Sequence, residues 1–436
     1  MQKRIAFVAM ALGIMVVAAV LIALKFQGID EKKAEARPEA ESKAEISETP
    51  KFPRWVFNDS SIPEEAAYKA ETLAKIDTFW REFEKNKDSL NPNTSKNMSE
   101  IVPPFMKKYL SDINPYIMWE LKADPNDKNI ANFTITAESE PALRPILKTM
   151  VERAPKLKEW RFVNYLPPFK PDEIFDGLKT KDNFKLTAFE TKCEISPKNK
   201  IDITIYSPDF EDSEEASTNG YRLAELVLGE ENAERWAGRF RSVKRAVTKD
   251  EKTASIEFSK SFSALKQTIL ANLPDKPYFN YDWQQRPKYF YVVPNPKNPK
   301  TSVDINMCID SPLFYSDRYS KCGDKFCYLV TGEKWGFKTE NDIIPLLDQM
   351  DKTLVDTKCG ITWAHNLTIG KNGECHFSVD MCINDIPKAL PILKKLVAEH
   401  KVTRNTFLIF RDADWRFEWI SLTDDKEAPL FRNGED

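Results

Sequence analysis

The hydrophobic positions that follow residue 60 recur at the spacing of an α-helix. Five large apolar side chains share one helical face: Leu73, Ile76, Phe79, Trp80 and Phe83. Pro63 suits the first turn of such a helix, and Ser60 or Ser61 can cap its N-terminus. The pattern predicts a helix whose apolar face docks on a protein core.

Strand and helix patterns alternate in three later segments, 133–165, 377–410 and, more faintly, 326–363. The helices at 141–151 and 387–397 share the pattern Pro-x-x-x-Pro-Ile-Leu-Lys-x-x-Val. Duplication of a strand-helix-strand module explains this pattern, and so does independent placement of proline in the first turn of two helices. Either way, the alternation predicts an α+β fold with two domains, each an antiparallel sheet packed against helices.

Alternating apolar residues also predict the register of two hairpins. The first turns at 196–200, and it pairs Cys193 and Ile195 with Ile203 and Ile201. In the second, a two-residue loop would set the two apolar rows on opposite faces of the sheet. We therefore predict the three-residue loop 371–373, which puts Leu367 opposite Phe377 and Trp363 opposite Met381.

The register of the second hairpin has two consequences. His365 faces the core opposite Val379, which is typical of a packed, hydrogen-bonded histidine rather than a catalytic one. Cys359 and Cys375 lie at opposite ends of the hairpin, too far apart to form a disulfide.

A basic segment follows a predicted helix at 221–228 that Gly229 can end. Helical spacing of apolar residues predicts a second helix here, with the stripe Trp236, Phe240, Val243 and Val247. Five bases surround that stripe: Arg235, Arg239, Arg241, Lys244 and Arg245. The pattern favours a solvated helix face with neighbouring acids, and binding to anionic lipid or glycan is the alternative.

The N-terminus contains one long uncharged segment. Residues 5–24 carry no charge, and a helix of that length, at 1.5 Å per residue, spans the roughly 30 Å hydrocarbon core of a bilayer. Because Lys3 and Arg4 precede the segment, the positive-inside rule keeps the N-terminus cytoplasmic and exports the rest. We expect residues 1–27 to form a cytoplasmic tip and an uncleaved transmembrane signal anchor. A cleaved signal peptide is the alternative, but its apolar region is shorter, about 7–15 residues.

The remainder of the chain divides by composition. Residues 28–57 are rich in Glu, Lys, Ala and Pro, which predicts a disordered spacer. Prolines punctuate the sequence after about residue 274, and the length exceeds that of one ordinary domain. We expect a first α+β domain at 58–250 and a second, cysteine-rich α+β domain at 251–436.

Cysteines cluster in the second predicted domain. Six of the seven lie there: Cys308, Cys322, Cys327, Cys359, Cys375 and Cys382. In an oxidising compartment six cysteines predict up to three disulfides, with the connectivity left open. A zinc site is the alternative, but the spacings contain no Cys-x-x-Cys pair. Cys193 stands alone and is typical of a buried free thiol.

Charge and glycine content exclude several classes of function. Lys and Arg number 64 against 67 Asp and Glu, so the net charge of −3 gives no support to nucleic-acid binding. The chain has 13 glycines and contains no GxGxxG, GxxxxGK[ST] or GxSxG motif, so phosphate loops and nucleophile elbows are not indicated. Three histidines are too few for a histidine-rich metal site. We expect no metal and no cofactor.

Aromatic residues crowd into a proline-rich segment of the second predicted domain. Tyr278, Tyr281 and Trp283, together with Arg239 and Arg245, are the candidate binding surface, because aromatic rings stack on sugars or on a partner peptide. Packing between two domains requires the same aromatic residues, and the sequence favours that interpretation.

Short motifs in both halves of the folded region suggest a family. In the C-terminal half these are Val303-Asp-Ile-Asn-Met, a glycine-led segment from Gly336 to Leu354, Gly360-Ile-Thr and the closing Trp415-Arg-Phe-Glu-Trp-Ile-Ser-Leu422. Residues from about 285 to 422 thereby resemble the bacterial domain of unknown function six-nine-five. Residues from about 70 to 245 resemble the region often found before it, in Phe133-Thr-Ile-Thr-Ala-Glu138, Trp160-Arg-Phe162 and Leu226-Val-Leu-Gly-Glu230. The resemblance implies a fold and no mechanism, since this family has no established activity; the anchor and the clustered cysteines depart from it.

These features predict a membrane-anchored protein of the bacterial inner membrane whose bulk is periplasmic. Binding or assembly in the cell envelope, with an envelope protein as partner, is the role that they favour. The alternative is an envelope hydrolase that uses a carboxylate or His376 in the cysteine-rich domain. Asp380 and Glu374 lie near His376 in sequence, but a chain with 67 acids offers many such neighbours, so no catalytic residue is assigned.

Overall fold

The computed structural model describes residues 53–124, 127, 129–138, 140–171, 173–174, 186–210, 215–280, 293–295, 298–303, 313–331, 343–369, 375–402, 405–423 and 429. The predicted anchor at 5–24 and most of the predicted spacer lie outside these ranges. None of the helices that the structure describes is long and apolar enough to cross a membrane. The described residues form a mixed α+β protein with three units, which we call the first (58–165), second (166–273) and third (278–423) units.

The first unit packs three helices against a three-stranded sheet. Its elements are α1 (Pro63–Leu90), α2 (Met98–Ile113), β1 (Met118–Ala123), β2 (Ala131–Thr136), α3 (Arg144–Glu152) and β3 (Trp160–Val163). Strand β2 pairs antiparallel with β1 and parallel with β3. The predicted apolar stripe of α1 is confirmed, since Ile76, Phe79 and Phe83 are fully buried in the core of this unit. The predicted serine cap is wrong: the N-cap is Ile62, with no side-chain hydrogen bond.

The second unit has the same hairpin-helix-strand order. Its elements are β4 (Glu190–Ile195), β5 (Ile201–Ser207), α4 (Glu215–Leu228), α5 (Glu230–Trp236), β6 (Ala237–Lys244) and α6 (Glu251–Asn272). The predicted pairing of Cys193 with Ile203 and of Ile195 with Ile201 is confirmed. Gly229 ends α4 with a φ of 80°, as expected.

The predicted basic helix after Trp236 is wrong, because residues 237–244 form strand β6. This strand pairs in parallel with β5 and places Phe240 opposite Ile203. Phe240 packs on the core while Arg239 and Arg241 on either side of it are exposed. The spacing of apolar residues from Trp236 fits two turns of a helix, but it belongs to a strand that returns to the sheet.

Helix α6 packs on this second sheet rather than on the third unit. Ala254, Phe258, Phe262 and Ile269 share one buried core with strand β5. The predicted division at residue 250 therefore falls inside a continuous core. The first predicted domain, 58–250, contains the core of the first unit as well as most of this one.

The third unit is built on a five-stranded sheet. Its main elements are β9 (Lys325–Thr331), α7 (Ile344–Asp356), β10 (Gly360–Ile369), β11 (Cys375–Ile383), α8 (Ile386–Glu399), β12 (Thr406–Phe410) and β13 (Trp419–Ser421), and a short hairpin of β7 (Val293–Asn295) and β8 (Asn298–Val303) precedes them. The strand order is β10-β11-β9-β12-β13, and every neighbouring pair is antiparallel. The order of elements from β9 to β12 gives a split β-α-β arrangement.

All three predicted strand-helix-strand segments are present: β2-α3-β3, β11-α8-β12 and β9-α7-β10. In the first, the two strands pair directly and run parallel. In the other two, an antiparallel strand lies between them. Duplication and independent origin of the shared proline pattern both remain compatible with this topology.

A β-bulge divides the hairpin β10–β11. Leu367 lies opposite Phe377 and His365 opposite Val379, as predicted, but Thr362 rather than Trp363 lies opposite Met381, because the register shifts between Thr362 and Ala364. The predicted loop at 371–373 lies outside the described residues. His365 is exposed, so its predicted burial is wrong; β10 is an edge strand of the sheet and leaves this side chain open to solvent.

Gly229 is expected to be intolerant of any side chain. A Cβ at this position would lie 2.9 Å from Cδ of Pro168, and the residue already has a φ that L-amino acids rarely adopt. Gly229→Ala should therefore lower the free energy of unfolding by at least about 1–3 kcal/mol, which is typical of such backbone strain. Gly323→Ala is the matched control, since Gly323 has a φ of 84° but its nearest neighbour is 3.9 Å away. Denaturant unfolding should show the larger loss for Gly229→Ala, and equal losses would contradict the close approach.

Candidate functional site

Ionisable side chains from all three units meet in one buried cluster. Thr136 and Arg144 come from the first unit, at the end of β2 and the start of α3. Glu230, Glu234 and Arg235 come from α5 of the second unit; Tyr315 precedes a short 3-10 helix of the third unit, and Asp414 lies in another, Ala413–Trp415. We call this set, with Tyr165 between β3 and the second unit, the junction cluster.

Arg144 is the centre of the junction cluster. It is 2% exposed, and its Nη2 donates to Oε1 of Glu230 at 2.7 Å and to Oε2 of Glu234. Its Nη1 donates to the carbonyl oxygen of Asn164 at 3.2 Å, and its guanidinium lies 4.1 Å from the centre of the Tyr165 ring. Because Glu230 and Glu234 are one helical turn apart, their charges repel unless a cation lies between them. Arg144 supplies that cation from another unit.

Glu230 ties the first and second units together through its side chain, and it also pairs with Leu166 of its own unit. Its Oε1 accepts from Thr136 Oγ1 as well as from Arg144, and its Oε2 accepts from the backbone N–H of Leu166 at 2.8 Å. Its own N–H donates to the carbonyl oxygen of Leu166 at 2.9 Å. A carboxylate that is 1% exposed thus has three hydrogen-bond donors, which offsets the cost of its burial.

The third unit joins the cluster through Tyr315 and Asp414. The hydroxyl of Tyr315 donates to Oε1 of Glu234, and Arg235 Nη2 donates to Oδ2 of Asp414. Arg235 Nη2 also donates to the hydroxyl of Tyr165 at 3.1 Å. Helix α5 of the second unit therefore bonds to both of the other units, to Arg144 of the first and to Tyr315 and Asp414 of the third.

Burial shifts the titration of several groups in the cluster. It raises the pKa of Asp414, although the Arg235 guanidinium opposes the shift. Burial, together with the negative charge of Glu234, raises the pKa of Tyr315 and so keeps its hydroxyl protonated as a donor. Burial raises the pKa of Tyr165 to about 12. These directions fit a cluster that is largely buried and held by fixed hydrogen bonds.

A second set of contacts fixes the third unit beside the cluster. The carboxylate of Asp412 accepts from the backbone N–H of Ser316 at 2.9 Å and from the Ser316 hydroxyl. Arg318 Nη1 donates to the carbonyl oxygen of Arg235 at 3.3 Å, and Asn199 Nδ2 donates to the carbonyl oxygen of Arg318 at 2.9 Å. The bonds of Asp412 fix Ser316 within the third unit, and those of Arg318 join the second and third units over a wider area than the ion pairs alone.

A small void borders the junction cluster at Asp414. It has a volume of about 10 Å³ and is lined by Pro53, Trp55, Ala142, Ile146, Asp414, Phe417 and Glu418. That volume holds about one water molecule. An open, polar depression of about 360 Å³ lies elsewhere, between the end of α1 and the start of α2. The arrangement at the cluster fits a structural junction better than a substrate site.

The members of the predicted binding surface that the structure describes lie in different surroundings. Tyr278 is buried, and its hydroxyl donates to the carbonyl oxygen of Tyr319 at 2.7 Å, which agrees with the packing interpretation. Tyr281 and Trp283 lie outside the described residues. Arg239 pairs with Asp202, and Arg245 pairs with Glu190, both in exposed or half-exposed positions on the second unit.

The cysteines that the structure describes are free thiols, and they include four of the six candidate disulfide cysteines: Cys322, Cys327, Cys359 and Cys382. Cys327 and Cys382 lie on neighbouring strands but face opposite sides of the sheet, in separate cores. The thiol of Cys359 contacts Oγ1 of Thr357 at 3.2 Å. Cys308 and the side chain of Cys375 lie outside the described residues.

Thiol labelling distinguishes free from bonded cysteines. Burial raises the pKa of Cys193 to about 12 and that of Cys327 and Cys382 well above the usual value. We expect iodoacetamide at pH 8 to spare these three thiols in the native protein and to label them all after unfolding without reductant, as read by mass spectrometry. Thiols that stay unlabelled until a reductant is added would contradict the free state.

The histidines do not form a catalytic arrangement in the described residues. His376 lies on β11 opposite Thr368, and its side chain lies outside the described part, as does Glu374. Asp380 pairs with Arg411 at 2.8 Å. His400 is at the surface end of α8, where Nε2 is 2.7 Å from Oε1 of Gln349. In the described ranges no group of three or more His, Cys, Asp or Glu is placed to hold a metal ion.

The junction cluster was missed from sequence. Its members are separated by up to about 280 residues along the chain, so no local spacing unites them. One signal was present: Arg144 follows Leu143 and precedes Ile146 and Leu147, so it lies on an apolar helix face where a charged side chain needs a partner.

Comparison with known proteins adds no relative from which a role can be taken. Protein-family models, curated proteins and solved structures all give no match to this chain. The resemblance to the domain of unknown function six-nine-five therefore stays an expectation based on the motifs quoted above, and the function is inferred from the residues and their geometry.

Proposed function

We propose that the chain acts by binding or assembly in the bacterial cell envelope, as a single-pass protein of the inner membrane whose bulk lies in the periplasm. The uncharged residues 5–24 support the membrane placement because their length matches the hydrocarbon core. Lys3 and Arg4 support export of the chain that follows. The partner in this proposal is another envelope protein, and the role needs no cofactor.

The observation that carries the binding role is the closed junction cluster. Arg144, Glu230 and Glu234 are buried and join the first unit to the second, and Tyr315 joins the third unit to Glu234, so that the units hold fixed positions relative to one another. A binding or scaffolding protein needs a fixed surface, whereas a small-molecule enzyme needs a cleft that admits its substrate. A buried ionic network commonly serves to specify one arrangement of the parts, and we assign that role to this one.

A topology reporter tests the placement. A reporter that is active only outside the cytosol, fused after Asp436, should be active in cells that express the full chain. Removing residues 5–24 should abolish that activity while the chain is still made. A C-terminal fusion that works only with a cytosolic reporter would overturn the proposal.

Site-specific crosslinking tests the binding role. Tyr116 in the first unit and Ile344 in the third are large apolar side chains that are 56% and 43% exposed. A photoreactive residue at either position should capture the same envelope protein in intact cells, and one at the exposed Glu84 serves as a polar control. Failure to capture a partner, together with hydrolysis of an envelope substrate by the purified chain, would favour the enzyme instead.

A further inference from the structure

The residues that directly precede the folded units are packed rather than disordered. Residues 53–57, which we call the strap, belong to the spacer predicted at 28–57, but Arg54 and Trp55 are 5% and 6% exposed. The strap lies between the first and third units. It therefore links the folded part to whatever precedes it at a single, well-defined place.

One carboxylate of the third unit holds the strap backbone. Oε1 of Glu418 accepts from the N–H groups of Trp55 at 2.7 Å and Val56 at 3.0 Å, and Oε2 accepts from the N–H of Phe57 at 2.9 Å. Three successive amides that converge on one anion form a nest. Hydrogen bonds to a charged acceptor are about twice as strong as neutral ones.

The strap side chains reach both neighbouring units. Phe57 stacks on Phe410 at 4.5 Å between ring centres and meets Trp415 edge-on at 5.3 Å, both in the third unit. The Arg54 guanidinium lies 3.5 Å from the centre of the Trp419 ring. On the other side, Trp55 is part of the core of the first unit, and its indole N–H donates to Thr149 Oγ1 at 3.1 Å.

We propose that the groove between the first and third units is a peptide-binding site, which the strap occupies in cis. Its ligand is a short peptide with the pattern basic-aromatic-x-aromatic, in which x is any residue. The strap has this pattern in Arg54, Trp55 and Phe57. The carboxylate of Glu418 accepts hydrogen bonds from the successive amides of the peptide. The indole face of Trp419 binds the cation, and an aromatic pocket binds the last ring. A partner segment of this composition replaces the strap, so the strap blocks the site while it is bound. The peptide site does not depend on where the chain resides, so a negative result for this site would leave the proposed function standing, and the reverse is also true.

Cutting the strap free of the folded part tests the proposal on the complete chain. Ser60 and Ser61 are exposed, so a protease recognition sequence can be inserted between them. The full chain, held on a resin by an N-terminal tag, is then cleaved in the folded state. We expect the folded part to stay on the resin through the non-covalently bound strap and to be eluted by a free peptide of residues 53–60.

Variants of the strap alone make the result specific, because they leave the groove unchanged. Phe57→Ala and Arg54→Ala should each speed release at least tenfold, and the same changes in the free peptide should weaken its ability to elute the folded part. On the groove side, Glu418→Ala should speed release at least tenfold, with Glu399→Ala, an exposed acid of α8, as the matched control. Circular dichroism shows whether each cleaved protein is still folded.

Two outcomes would overturn the proposal. One is immediate release of a folded protein on cleavage of the unaltered strap. The other is retention that neither the free peptide nor Phe57→Ala changes, because such a strap is a permanent part of the fold and not a replaceable ligand.

Discussion

Arg144→Met is expected to lower the free energy of unfolding by about 3–5 kcal/mol, the cost of breaking a buried ion pair by removing one partner. The change leaves Glu230 and Glu234 buried, one helical turn apart and without the cation that lies between them. Methionine is close to arginine in length and keeps the apolar packing of the stem. The loss should appear in urea or guanidinium unfolding followed by circular dichroism.

Arg153→Met is the matched control for this change. Arg153 caps the same helix, α3, and forms a two-pronged ion pair with Asp77, but both side chains are about half exposed. Exposed pairs contribute about 0.2–1 kcal/mol, so this variant should unfold close to the unaltered protein. Equal effects of the two changes would mean that Arg144 is not a buried partner of the two glutamates.

Phe83→Ala is expected to lower the free energy of unfolding by about 3–5 kcal/mol, the usual cost of removing a buried phenylalanine ring. Phe83 has no exposed surface. The centre of its ring lies 5.3 Å from the ring centre of Phe133, 4.8 Å from that of Trp160 and 5.5 Å from that of Phe162. Its loss leaves a cavity where α1 meets the sheet of the first unit. Denaturant unfolding of the purified chain gives the magnitude.

Two controls separate the cavity from general effects on α1. Phe83→Leu keeps most of the volume and should cost clearly less than the alanine variant. Glu84→Ala changes the neighbouring exposed residue and should be within about 0.5 kcal/mol of the unaltered protein. If Phe83→Ala were as mild as Glu84→Ala, α1 would not dock through this face.

Local pattern was sufficient where an element buries one continuous face. The stripe that includes Ile76, Phe79 and Phe83 predicted α1, and alternation predicted the pairing of β4 with β5. Pattern failed for β6, where Trp236 and Phe240 fit a helical spacing. The parallel partner β5, some 35 residues earlier in the chain, decides the conformation there, and a local window does not contain it.

Two other features depend on interactions that no local rule contains. The bulge near Trp363 shifts the register of β10 by one residue. Side chains before the bulge therefore point to the opposite face of the sheet from the one that simple alternation predicts. The junction cluster needs Arg144 to meet α5, and α5 to meet Tyr315 and Asp414 of the third unit, so it exists only after the units have docked. The spacing of the cysteines does not show which face of the sheet each one takes: Cys327 and Cys382 are close in the sheet but point to opposite faces.

The central claim is that the buried charges of the junction cluster make the three units one cooperative body. Hydrogen exchange by mass spectrometry in increasing denaturant tests it most directly, through the amides of β2, β5 and β9, one strand from each unit. In the unaltered chain these three strands should lose protection at one denaturant concentration, and in Arg144→Met they should lose it at separate ones. Separate losses in the unaltered chain would contradict the claim.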